Sequence, residues 1–203
     1  MMKTRFEDEK LKWIPLLILL VFFFPFVLKS ATFSYKYYLY VINLAGIYMI
    51  LTVGLDILSG YTGLMSLGHA AFLALGAYFS AIMVDQLGLP FELSLILTPM
   101  LVGCFGFIIG FPALRVQGIY LGLTTMGFGF IVKRLIIVFS DWTGGSAGLR
   151  VSNAKLFGWE INSDWENYFI IYFFVIIAII IGRRMVGSKL GRALMSIRDS
   201  EQV

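Results

Sequence analysis

Apolar runs about twenty residues long, parted by short polar turns, leave this chain few folds to choose from. Crossing ~30 Å of hydrocarbon takes roughly 17 to 25 helical residues. Six segments reach or approach that length: 13–28, 37–58, 62–84, 93–114, 118–139 and 168–182. The first is short and carries Pro15 and Pro25. Such uninterrupted runs exclude a membrane barrel, whose strands alternate over about ten residues. No soluble domain needs a sequence that is 59% hydrophobic and 14% charged. The fold class is therefore an all-α polytopic membrane protein with about six transmembrane helices.

Basic residues give the orientation. With the N-terminus cytoplasmic, the inner side collects ten: Lys3, Arg5, Lys10, Lys12, Arg115, Arg183, Arg184, Lys189, Arg192 and Arg198. The outer loops collect four, Lys29, Lys36, Arg150 and Lys155. That imbalance is the one that sets topology. It makes 140–167 a periplasmic loop, with Trp142, Trp159 and Trp165 as interfacial anchors, and 183–203 a cytoplasmic segment. Glu7, Asp8 and Glu9 precede the first run and no small-residue cleavage site follows it, so that run reads as an uncleaved span. The net charge of +4 carries no clustered basic surface with interleaved aromatics, so nucleic acid is not expected as a partner. Cys104 is the single cysteine and forms no intrachain disulfide.

Small residues are concentrated where helices must meet. The stretch from Gly60 to Tyr78 is apolar yet crowded with glycine, alanine and serine. Ser66, Ala70, Ala74, Ala77 and Ala81 recur at helical spacing and predict a smooth packing face. Gly118, Gly122, Thr125 and Gly129 form a second stripe, and Gly103, Gly106 and Gly110 a third. Packing alone explains any one glycine. The functional alternative is that Ser66, His69, Gly118, Gly122, Thr124 and Thr125 also line a translocation path, because such residues leave backbone carbonyls and hydroxyls within reach. The segment 118–139 also suits a broken or re-entrant helix buried in protein.

Ionisable groups inside the spans are few. His69 is a ligand contact, a proton relay or a structural bond to a neighbouring backbone carbonyl, and the last is the preferred reading. One histidine without a nearby carboxylate makes no metal site. Asp56 is solvated at the interface or pairs with a base such as Arg115. Lys133 and Arg134 snorkel to the headgroups, or attract an anionic substrate group. His69 and Asp56 lie about three turns apart, too far for a membrane-embedded active site. No phosphate-cradling loop and no nucleophile–base–orienter set is visible, so the chain is not expected to be an enzyme. The tail predicts a helix from Arg192, with Ala193, Leu194 and Ile197 on one face. It lies on the membrane surface, or docks a cytoplasmic partner.

Three motifs converge on one family: GYTGLMSLGHAAFLALGAY; LRVQGIYLGLTTMGFGFIVKRLI followed by TGGSAGL; and GSKLGRALMSIRDSE. In this order they resemble the LivM-type permease subunits of the branched-chain amino acid ABC importer family. The resemblance implies one transmembrane permease domain over 1–203 in a bacterial inner membrane, without a cofactor. Its partners are then the lipid bilayer, a second homologous permease subunit, two cytoplasmic ATP-binding subunits and a periplasmic substrate-binding protein. The cargo implied is branched-chain or other hydrophobic amino acids. The family's coupling segment matches Gly191, Arg192, Ala193, Leu194, Ile197, Arg198, Asp199 and Glu201, a helix that seats in a groove of the ATPase. A urea or short-amide permease of the same superfamily and a non-transporting structural membrane subunit are the alternatives. The family's chains continue past the coupling segment, so a truncated product is expected.

Overall fold

The computed structural model describes Pro25 and residues 35–113, 116, 118–156 and 158–200. The candidate span 13–28, apart from Pro25, lies outside them, as do Arg115 and Glu201. Helix α1 (Tyr35–Leu55) ends in a π-helical turn, Asp56–Tyr61. Helix α2 (His69–Ala81) ends in another, Ile82–Gln86. Then come α3 (Phe91–Ala113), α4 (Ile119–Val138), a single turn α5 (Ser140–Thr143), strands β1 (Lys155–Leu156) and β2 (Trp159–Glu160), α6 (Asp164–Gly187) and α7 (Lys189–Ser200). Among the described residues, four stretches are long and apolar enough to cross a membrane: Tyr35–Tyr61, Phe91–Phe111, Ile119–Val138 and Asp164–Gly187. The all-α polytopic class is thereby met. Segment 118–139 forms one unbroken helix, without the break its glycines allowed for.

The described residues divide into two compact units, one to Met49 plus Ser163–Ile177, the other Ile50–Asn162 plus Ala178–Val203. In the first, the starts of α1 and α6 pack together. Ser163 and Glu166 cap α6: the Ser163 N–H donates to Glu166 Oε2 at 3.1 Å, and the Trp165 N–H to Ser163 Oγ at 3.3 Å. Asn43 Nδ2 donates to the Asp164 carbonyl at 2.9 Å, and Gly46 gives Ile171 room to lie against α1. Tyr168, 1% exposed, rests on Tyr172 with ring centroids 4.4 Å apart. Positions 43 and 46 thus meet 164 and 171 in ascending order, so α1 and α6 run in the same direction. Helix α2 and its π-helical turn, 13 and 5 residues, are not among the four stretches long and apolar enough to cross a membrane.

In the second unit α2 packs between α3 and α4. Phe72 lies in the gap left by Gly106 and against Phe128, with centroids 5.2 Å apart. Ser80 and Ser94 share a hydroxyl hydrogen bond of 2.8 Å, and Ser94 and Thr98 one of 3.4 Å. Ser94 is 0% exposed, so this ladder crosses the α2–α3 seam out of reach of lipid, where polar side chains hold helices together.

The expected stripe on the third span is displaced. Segment 62–84 is not helical from Thr62, because α2 begins only at His69. Gly63 takes φ 75°, a conformation that costs a side chain but not glycine. The Thr62 hydroxyl donates to the Leu58 carbonyl and accepts from the Leu64 N–H at 3.4 Å, local bonds that compete with helix. Ser66 therefore precedes the helix, Ala70 and Ala77 are exposed and Ala74 is half-buried; of the stripe only Ala81 is buried, joined by Ala71.

Candidate functional site

The non-helical segment 62–68 is seated on α4 by the second small-residue stripe. A Cβ on Gly122 would meet Met65 Sδ at 3.2 Å, and one on Gly129 would lie 4.0 Å from the Gly68 Cα. Thr125 Oγ1 accepts from the Leu67 N–H at 3.0 Å while donating to the Gly122 carbonyl at 2.9 Å. Gly68 comes so near that a Cβ there would sit 2.1 Å from the Thr125 carbonyl oxygen. The stripe does pack, but against an unwound stretch of chain rather than another helix.

Between this segment and α2, α3 and α4 lies a cavity of about 210 Å³. Its walls are Leu58, Leu64, Met65, Ser66, Gly68, Phe72, Gly106, Ile109, Gly110, Leu121, Thr125 and Phe128. Ser66 and Thr125 bring the only side-chain hydroxyls to an otherwise apolar lining. An interrupted span beside a cavity is how transporters expose backbone groups to cargo without facing them to lipid.

The other path candidates lie elsewhere. The His69 imidazole pairs with the Leu51 backbone and sits over Gly54, whose Cβ would lie 3.1 Å from Nε2. That is the carbonyl bond preferred on sequence grounds. Thr124 is exposed and donates to the Tyr120 carbonyl of its own helix at 2.9 Å. Gly118, at φ 58°, starts α4 with open space around it. The structure thus gathers Ser66, Gly122 and Thr125, and leaves His69, Thr124 and Gly118 apart. Gly68, Leu121 and Phe128 belong with the first three. Met65–Gly68 and their partners on α4 lie 57 or 58 positions apart in sequence, a separation with no periodic signature, so pattern reading missed them.

Helix α7 begins at Lys189, one turn before the expected Arg192. The Ser188 hydroxyl accepts from the Leu190 N–H at 3.1 Å and donates to the Met185 carbonyl at 2.7 Å. Gly191 permits the tight turn out of α6, since a Cβ there would stand 2.0 Å from the Val186 carbonyl oxygen. Arg192 and Ala193 are exposed and Leu194 half-buried. Arg198 turns back and donates from Nη1 to the Gly60 carbonyl at 3.1 Å. The side chains of Ile197 and Asp199 lie outside the described residues.

At the other end of α2, the loop after α4 covers the α2–α3 turn. Gln86 Nε2 donates to the Trp142 carbonyl at 2.7 Å, and the Ser152 N–H to Asp85 Oδ1 at 3.2 Å. Beyond them, Lys155 pairs with Glu160 across the β1–β2 hairpin at 2.7 Å. The bond from that ammonium holds the Glu160 carboxyl below the usual carboxylate range. Lys133 and Arg134 are exposed on α4. Of the three loop tryptophans, Trp142 and Trp159 are exposed and Trp165 is half-buried. No group of His, Cys, Asp and Glu suited to a metal ion occurs among the described residues.

Residues 37–203 match the family described as "Branched-chain amino acid transport system / permease component". The chain is 30% identical over 217 residues to the high-affinity branched-chain amino acid transport system permease protein LivM of Escherichia coli (strain K12), covering 95% of this chain and 49% of that protein. It is 32% identical over 179 residues to the protein of the same name from Salmonella typhimurium (strain LT2), covering 76% and 42% respectively. The chain thus spans about half the length of these curated relatives or less. No solved structure matches it. Four apolar helices and a family match over most of the chain lead to one conclusion: this multi-pass membrane protein belongs to the permease component family of branched-chain amino acid transport systems.

Proposed function

We propose that this chain acts as a transmembrane permease subunit of an ATP-driven importer in a bacterial inner membrane. It passes branched-chain or other hydrophobic amino acids delivered by a periplasmic binding protein. One observation carries the reading: an unwound segment, 62–68, walls an apolar cavity that offers only the Ser66 and Thr125 hydroxyls. About 210 Å³ is roughly seven times the ~30 Å³ share of one water. Apolar walls suit an aliphatic side chain. Urea has no aliphatic body to fill such walls, which favours the amino acid reading over the short-amide alternative.

In this reading the chain hydrolyses nothing itself. Two cytoplasmic ATP-binding subunits supply the energy and meet the exposed surface of α7 at Arg192, Ala193 and Leu194, with Gly191 setting the helix in place. A second homologous permease completes the path. The test is uptake of labelled leucine and of urea by proteoliposomes holding the assembled importer, with wild-type chain or Ser66→Trp. ATP-dependent leucine uptake that Ser66→Trp lowers at least about tenfold is expected, one such factor being 1.36 kcal/mol of barrier. Uptake of urea in place of leucine, or leucine uptake indifferent to the filled cavity, would overturn the reading.

A further inference from the structure

Arg198 belongs by resemblance to the surface that meets the ATPase, yet its guanidinium is already engaged within its own chain. Nη1 donates to the Gly60 carbonyl at 3.1 Å. Carbonyls in the last turn of a helix lack intrahelical partners, and a cation there is favoured by the helix dipole. Its aliphatic stem fills the space over Gly63, where a Cβ would lie 3.2 Å from Arg198 Cγ and 3.8 Å from Cβ. Helix α7 also makes backbone-level contact with the Asp56–Tyr61 turn. That turn leads straight into residues 62–68, which wall the cavity through Leu64, Met65, Ser66 and Gly68.

We propose that Arg198 is an intramolecular tether: it fastens α7 to the Gly60–Gly63 turn so that the two move as one body. Displacement of α7 then reaches the cavity wall directly, within four residues of sequence, without passing through the length of a span. This rests on the permease reading above and adds to it how motion reaches the cavity. Arg198 is a positioning residue, acting through the turn rather than on cargo. A charge-assisted bond suits the task because it is directional and strong at short range. Gly63 suits it too, since any side chain there would collide with the arginine stem.

The geometry allows a covalent replacement. A Cβ–Cβ separation near 3.8 Å is the mean for disulfides. The test uses Gly63→Cys with Arg198→Cys in a Cys104→Ser background, in the assembled importer in proteoliposomes, alongside Arg198→Ala and Arg198→Lys. Mild oxidation should cross-link the pair, read as a reductant-sensitive gel shift. Reduced, the double variant should lose substrate stimulation of ATP hydrolysis by about fivefold or more, the lower end of ordinary allosteric coupling. Oxidised, it should regain stimulation to within about twofold of wild type. Arg198→Ala should behave as the reduced pair, and Arg198→Lys, which still offers an N–H to the carbonyl, should keep most of the stimulation. A pair that will not cross-link, or a cross-link that abolishes stimulation until reductant restores it, overturns the tether. An importer whose wild-type chain shows no substrate stimulation instead defeats the permease reading, and cross-linking alone then decides whether α7 and the turn are joined.

Discussion

Gly68 approaches Thr125 so closely that a single added carbon would sit 2.1 Å from the Thr125 carbonyl oxygen. Backbone meets backbone there, so no side-chain rotation relieves the overlap. Gly68→Ala should therefore destabilise the bundle by at least about 2 kcal/mol. Thermal unfolding in detergent measures it, with Gly103→Ala as control because a Cβ at 103 meets nothing within 4 Å. Equal behaviour of the two variants would mean that segment 62–68 is not seated on α4.

The same contact makes a chemical prediction at Thr125. Thr125→Val keeps the shape but leaves the Leu67 N–H without its acceptor, which costs about 1 to 2 kcal/mol. Thr125→Ser retains the oxygen and should cost less. Val and Ser unfolding together would show that the hydroxyl holds nothing.

At the tail, Gly191→Ala places a carbon 2.0 Å from the Val186 carbonyl. The α6–α7 turn must open, and of the candidate spans only the last turn of α6 is touched. Trypsin cleavage after Lys189 and Arg192 should accelerate several-fold while detergent stability stays within about 0.5 kcal/mol of wild type. Unchanged cleavage would mean that the turn tolerates the side chain.

The hairpin pair titrates. Glu160 has its folded pKa depressed by Lys155, so the contribution of the pair is present above the ordinary carboxylate value of 4.5 and is lost as pH falls through the depressed one. Both side chains are well exposed, so global stability should not register the loss. Protection of the Leu156 and Trp159 amides, taken relative to the intrinsic exchange rate at each pH, should fall as pH drops through the depressed value in wild type and already be low at neutral pH in Glu160→Gln. A hairpin equally protected in both would remove the pair from its stability.

Four of the candidate spans are legible in the sequence to within about four residues, because length and apolarity decide them. Segment 62–84 is the instructive exception. Its composition announces close packing correctly, but the helical spacing from Ser66 to Ala81 assumes a continuous helix. The left-handed backbone at Gly63 and the bonds of the Thr62 hydroxyl interrupt it, and neither has a periodic signature. At the site, Gly122 and Thr125 are legible as a stripe on one helix, whereas Gly68 gains its meaning only from a partner 57 positions away. Arg198 shows the same limit: a charge beside an apolar stripe says that a helix is amphipathic, not that its cation returns to a carbonyl in its own chain.

The hydroxyls of Ser80, Ser94 and Thr98 have one more consequence. A hydroxyl can either donate or accept a hydrogen bond, so a shift of α2 past α3 can trade one partner for the next without stranding a polar group in hydrocarbon. Interlocked leucines would fix the register of that seam, whereas this rung-by-rung exchange lets it change at small cost.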